Sequence, residues 1–134
     1  MKIHQVQIRV RYSETDQMQV VYHGNYAQYF EIGRVEWLRN KGISYKWMEE
    51  NGIMLPVVSL TMNYKKPARY DELLTLKTIF KRLSTVKIEF DYELYNEDEE
   101  LLTTGNSILV FVDMKSGRPT APPTYISELL KTLY

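Results

Sequence analysis

No cysteine occurs among the 134 residues, which excludes disulfides, thiolate zinc sites and a cysteine nucleophile. That absence fits a reducing compartment. Histidine is scarce as well: His4 and His23 are too few for a histidine-rich metal centre. Charge of one sign is not in excess, since 17 lysines and arginines balance 17 aspartates and glutamates. No overall field therefore draws the chain to nucleic acid or to an acidic membrane. No apolar run approaches the roughly 20 residues needed to cross a bilayer. Met1–Gln7 lacks the apolar stretch of a signal peptide, so the expectation is a soluble cytoplasmic protein. Gly-rich phosphate loops, serine nucleophile elbows and metal-ligand spacings are missing, as are repeats and low-complexity linkers. The length suits one domain, residues 1–134, large enough to bury about two thirds of its unfolded surface.

What the chain does contain is tyrosine, 11 in all, a residue suited to surfaces that are partly buried and partly wet. Val6, Ile8, Val10 and Tyr12 alternate with polar residues, the period of a half-buried strand. After the polar break Ser13–Gln17 and the small cluster His23-Gly24-Asn25, the spacing predicts a helix to about Asn40. On it Tyr26, Phe30, Gly33 and Trp37 share a face, and Tyr29, Ile32 and Val35 widen the apolar surface, so the helix should be largely buried. Gly33 would let a neighbour approach closely. Gly42 should stop this helix and Gly52 a short second one over 45–51. Val58, Leu60, Met62 and Tyr64 alternate up to Pro67. A strand over 73–81 follows, then the clearest alternation, with Val86, Ile88, Phe90, Tyr92 and Leu94 on one face. An acidic turn, Asn96–Glu100, leads to a last strand over 101–112, interrupted at Gly105. Pro119, Pro122 and Pro123 keep the next stretch irregular, and Thr124 is positioned to cap a terminal helix over 125–133. The order predicts an α+β fold in which an antiparallel five-stranded sheet wraps one long central helix. One sheet face and its edges then stay uncovered, which predicts a homo-oligomer.

The segment Tyr12–Tyr26 is the informative one for chemistry. It places Asp16 in a loop and, seven residues later, a polar-small cluster at the start of the buried helix. Free amides and the positive end of the helix dipole at that start would polarise a thioester carbonyl. A carboxylate on the other side of the carbonyl could attack it or activate water.

The string Asp16-x-x-x-Val20-Val21-Tyr22-His23-x-Asn25-Tyr26, followed by Phe30-Glu31-x-x-Arg34, closely resembles the 4-hydroxybenzoyl-CoA thioesterase-like branch of the hotdog-fold acyl-CoA thioesterases. Tyr64-x-x-Pro67-Ala68-x-Tyr70-Asp71-Glu72-x-Leu74 resembles a second signature of that family, in the right order and spacing. The resemblance implies hydrolysis of an acyl-CoA to free acid and CoA, with Asp16 as nucleophile or general base and the His23 backbone amide polarising the carbonyl. It also implies that the Tyr22, His23 and Asn25 side chains line the acyl end of the pocket. Tyr26 is a further candidate contact, with a place in the core as its alternative, and Asn25 has helix capping as its alternative.

The resemblance implies no metal or organic cofactor, CoA arriving as part of the substrate. It implies a homodimer joined edge to edge, often a dimer of dimers (a homotetramer), with the site at a subunit interface. For the CoA phosphates the candidates are Lys81, Arg82, Ser84 and Thr85, with Lys65, Lys66 and Arg69 as a second basic cluster, each cluster having a solvated edge that discourages strand pairing as its alternative. Glu31 and Arg34, three apart on the helix, are read as an internal ion pair. Gln19 departs from the family pattern, which has glycine shortly before the Val-Val pair. Two other readings stand beside hydrolysis: an acyl-thioester hydratase or dehydratase pairing His23 with Asp16, and a non-catalytic acyl-CoA-binding or assembly protein.

Overall fold

The alternating segments pair as their periods require, and the one long apolar helix lies across the sheet they form. The computed structural model of the chain describes residues 2–133. The elements run β1 (Ile3–Arg9), α1 (Tyr26–Asn40), α2 (Tyr45–Glu50), β2 (Ile53–Met54), β3 (Val57–Tyr64), β4 (Leu73–Leu83), β5 (Lys87–Tyr95), β6 (Leu101–Val110), β7 (Val112–Asp113), β8 (Arg118–Pro119) and α3 (Thr124–Lys131). Single 3-10 turns at Tyr12–Glu14 and His23–Asn25 bracket the loop before α1. The main sheet has five antiparallel strands in the order β1-β4-β5-β6-β3.

Helix α1 buries Tyr26, Tyr29, Phe30, Gly33, Trp37 and Leu38. Phe30 stacks on Tyr92 of β5 with ring centroids 4.4 Å apart, and Trp37 packs on Phe80 and Phe90. Each such side chain contributes roughly 1.5–3 kcal/mol on burial. The expected close approach at Gly33 occurs: a Cβ there would strike Leu76 and Thr78 of β4. Ile88, Phe90, Tyr92 and Leu94 all face this core. Gly42 and Gly52 follow their helices with φ of 83° and 85°, as chain-stopping glycines should.

Several expectations are corrected. Tyr12 is not an inward strand residue: the chain turns at Arg11, and the Tyr12 ring is 77% exposed. Helix α1 is not covered all round, for Ile32 is exposed and Val35 half-buried. Gly105 does not interrupt β6, which runs straight through it beneath Phe30. The proline-rich stretch after β6 is not wholly irregular, because Pro119 faces Val112 in a small second sheet, β2-β7-β8. Thr124 makes no cap; it is the first residue of α3, and Pro123 precedes it without a side-chain cap bond. Glu31 and Arg34 form no ion pair. Arg34 turns inward, where its guanidinium faces the Tyr45 and Tyr92 hydroxyls, and α1 carries a Glu36–Arg39 pair instead. At the open edge, Val57, Val58, Leu60 and Tyr64 of β3 are all exposed, with only Met62 of that alternating set packed on the core.

Candidate active site

The loop between β1 and α1 is built around Glu14. Its carboxylate is buried, accepts the Arg11 amide at 2.8 Å, pairs with the Arg11 guanidinium at 3.1 Å and accepts the Tyr29 hydroxyl at 2.9 Å. Burial first, and the bond to Glu14 second, push the Tyr29 hydroxyl well above its ordinary pKa, so it stays protonated as the donor. The Glu14 carbonyl accepts two further bonds, from the Tyr22 amide at 2.9 Å and the Asn25 side chain at 2.8 Å.

Two residues on, Asp16 begins a tight reversal. Its amide donates to the Val20 carbonyl, its carbonyl accepts from Gln19, and its Oδ1 accepts the Met18 amide at 2.8 Å. Among the described residues its Oδ2 has no hydrogen bond and no cation within ion-pair distance. The half-buried carboxylate lines an open concavity of about 700 Å³ with Tyr12, Gln17, Gln19, Arg69 and Tyr70. Tyr12 and Tyr70 meet edge to face at 5.6 Å on its wall. Gln19 holds the reversal with φ of 65°, the left-handed conformation that the family's glycine supplies without steric cost. Replacing Gln19 by glycine relieves that strain and is expected to stabilise the fold by up to about 1 kcal/mol, after the entropy glycine loses on folding. Thermal unfolding of Q19G checks this, with a higher Tm as the expected result.

The chain then crosses to His23. Val21 donates to the Ala68 carbonyl at 2.8 Å, fixing this segment against residues 67–69. Among the described residues neither the His23 nor the Gly24 amide has an acceptor, whereas Asn25 and Tyr26 donate to Tyr22 and His23. Two free amides thus stand at the head of the buried helix, where its dipole is positive. The His23 ring lies 4.3 Å from the Tyr22 ring, and the Tyr64 hydroxyl donates to the His23 carbonyl at 3.2 Å. His23, Tyr26, Tyr64, Val21 and Pro67 line a second, mainly apolar concavity of about 270 Å³. Tyr26 is buried; its hydroxyl accepts the Ala68 amide at 3.4 Å, and burial raises its pKa. The structure therefore puts the Asp16 carboxylate and the His23 ring in two concavities, the first bounded by Arg69 and the second by Val21 and Pro67. Asn25 lines neither, its amide group being engaged with Glu14.

The two basic clusters differ in place. Lys81 lies 3.6 Å from Glu89 and 3.9 Å from Asp91, and Arg82 pairs with Glu89 at 3.1 Å. Ser84 closes the β4–β5 turn on the Lys87 carbonyl, and Thr85 is exposed within it. Lys81 stands eight residues along β4 from Leu73, about 26 Å at the rise of a strand. Lys65, Lys66 and Arg69 border the concavities directly, Lys66 being paired with Glu100 at 2.5 Å. Residues that sequence reasoning did not place at the site are Tyr12, Tyr70 and Gln17 beside Asp16, and Tyr64 beside His23. Tyr64 and Tyr70 both lie in the second signature, which was the available signal. Among the described residues no cluster of three or more histidine or acidic side chains is arranged to hold a metal ion.

Comparison with known proteins fits this geometry. The description of the thioesterase-like superfamily matches residues 10–130. The Bacillus subtilis protein named "Putative acyl-CoA thioesterase YneP" is 37% identical over 89% of this chain and 86% of its own. The acyl-CoA thioester hydrolase YbgC of Escherichia coli O157:H7 is 30% identical over 89% of each chain. A DHNA-CoA thioesterase from Staphylococcus aureus superimposes with a TM-score of 0.95 at 36% identity, covering 99% of this chain and 91% of that one. The α+β architecture is the hotdog fold, and by sequence and structure together the chain belongs to the thioesterase-like superfamily.

Proposed function

We propose that this chain is an acyl-CoA thioesterase, releasing free acid and CoA, with Asp16 as nucleophile or general base. The observation that carries the proposal is a half-buried carboxylate with one oxygen free, followed seven residues later by unpartnered amides at the head of a buried helix. The thioester carbonyl oxygen accepts from the His23 amide, which stabilises the charge developing on it. The free Asp16 oxygen either attacks the carbonyl carbon, forming a mixed anhydride that water opens, or takes a proton from the water that attacks. In both routes the C–S bond breaks and the CoA thiolate leaves and takes up a proton. The names of the Bacillus subtilis and Escherichia coli relatives support the substrate class. A hydratase pairing the His23 ring with Asp16 is the weaker reading, since relatives at 37% and 30% identity are named as a thioesterase and a thioester hydrolase.

The apolar concavity beside His23 suits the acyl group, and the more mixed one beside Asp16 suits the pantetheine arm. Tyr26 and Tyr64 bound the acyl side, with the Tyr22 ring against His23. Arg69, free of any ion pair among the described residues, is then placed to meet a phosphate of CoA. Lys81 and Arg82, near the end of β4 and close to Glu89, are the second candidates for the same phosphates. The exposed apolar edge of β3 supports a homodimer joined there; a dimer of dimers and a cytoplasmic location belong to the same reading and rest on the family resemblance. No helix among the described residues is long and apolar enough to cross a membrane.

Thiol release from a panel of short, medium, long and aromatic acyl-CoAs tests the reaction, and no release from any of them would remove it. Arg69→Ala is expected to raise KM for acyl-CoA about tenfold with kcat little changed, as loss of one charge-assisted contact does. An equal effect on an acyl-N-acetylcysteamine, which has no phosphate, would take Arg69 out of this role.

A further inference from the structure

The hydrolase reading names the groups that act on the thioester and leaves open what holds them in register. Asp16 and the His23–Gly24 amides belong to two separate turns, each exposed on one side. A carbonyl must meet both at once, and a misplacement of about 1 Å costs on the order of a hundredfold in rate. Glu14 is hydrogen-bonded to the segment that carries the amides and lies two residues before Asp16 in the chain. Its side chain is held by Tyr29 of α1 at 2.9 Å and by Arg11 at 2.8 Å. Its carbonyl holds the Tyr22 amide at 2.9 Å and the Asn25 side chain at 2.8 Å. Those two contacts flank His23 and Gly24 in sequence, so the peptide carrying the free amides is gripped at both ends by one carbonyl. The same residue leads through Thr15, bridged to Val21, into Asp16.

We propose, resting on the thioesterase reading, that Glu14 and Asn25 are positioning residues that set the Asp16 carboxylate against the His23–Gly24 amides, with Tyr29 as the anchor on the buried helix. The Glu14 carboxylate is buried on Tyr29 and Arg11, so it contributes by fixing its own peptide, not by contact with substrate. Asn25 acts through the Glu14 carbonyl and not as a wall of the acyl pocket. The rigidity of α1, packed on the sheet through Phe30 and Trp37, is thereby passed to both turns.

Glu14→Ala and Asn25→Ala, assayed well below their unfolding temperatures, are each expected to lower kcat by about thirty- to a hundredfold, with KM changed less than about threefold. Glu14→Gln, which retains an acceptor for the Arg11 amide and a polar partner for Tyr29, is expected to recover most of the loss. Amide hydrogen exchange gives a readout independent of turnover. In Asn25→Ala the Asp16 amide, on the other turn, should exchange at least about tenfold faster while amides of β4, β5 and β6 keep their rates. A KM that rises in step with the fall in kcat would overturn the proposal, and so would exchange that quickens evenly across the sheet or only at residues 22–25. If the wild-type protein releases no thiol from any acyl-CoA, the hydrolase reading fails, and the exchange experiment still decides whether Asn25 controls the Asp16 turn.

Discussion

Asp16→Asn is expected to lower turnover of acyl-CoA by at least about a hundredfold while leaving the fold and its Tm near those of the wild type. The magnitude is that of a positioned acid–base group removed from a reaction. The fold should survive because the structural duties of Asp16 pass through atoms an asparagine retains. Its backbone amide and carbonyl close the turn with Val20 and Gln19, and its Oδ1 takes the Met18 amide. An asparagine oxygen accepts that bond equally well, so the substitution removes charge and nucleophilicity without opening the reversal. Binding should persist for the same reason, and KM is expected to stay within a few fold. Thiol release followed alongside thermal unfolding separates the outcomes. Near wild-type turnover would remove Asp16 from the mechanism, and a large drop in Tm would assign its effect to structure.

Gly105→Ala is expected to be the most damaging change that adds a single methyl group. Gly105 sits in the middle of β6, paired with Tyr92 on one side and Met62 on the other. A Cβ there would overlap the Phe30 ring and come within 3.0 Å of the Thr61 carbonyl. Phe30 cannot swing aside, since it is fully buried and stacked on Tyr92, whose hydroxyl is held by Ser107 at 2.6 Å. Relief requires lifting α1 from the sheet. Overpacking of this kind costs about 1–3 kcal/mol, a fall in Tm of roughly 5–10 °C for a chain of this size. Calorimetry on G105A checks it; an unchanged Tm would mean that the helix-to-sheet spacing is looser than the packing implies.

Where one face of an element is buried and the other is wet, the residues themselves carried the pattern. That is why β5 and the Tyr26–Trp37 face of α1 were legible from spacing alone. Features that depend on distant partners were not. Glu14 reads locally as one more acid in a polar turn, and its burial comes from Tyr29, fifteen residues on, which is visible only once α1 lies over the loop. Gly105 looks like a strand breaker until Phe30 is seen to need the space. The pairing of Pro119 with Val112 leaves no periodic trace, because two-residue strands have no period. For Asp16 the placement before a buried helix start supplied a chemical reason and the motif supplied the weight, since an aspartate amid serine and threonine is ordinarily a turn former. The grouping of Arg69 and Tyr70 beside it became visible only when the Val20–Arg69 bridge joined the two signatures.

The strand order has a consequence for how the molecule assembles. Strands β4, β5 and β6 form a meander whose loops close cheaply, while β1 can pair only with β4, Ile3 facing Ile79, 76 positions further along the chain. Local hairpins form ahead of such distant pairings because less chain entropy is lost in closing them. During synthesis β1 leaves the ribosome first and waits longest for its partner. The loop bearing Asp16 hangs between β1 and α1, so the Asp16 carboxylate is among the last groups to reach its place, and a nascent chain with its meander complete still lacks the proposed centre.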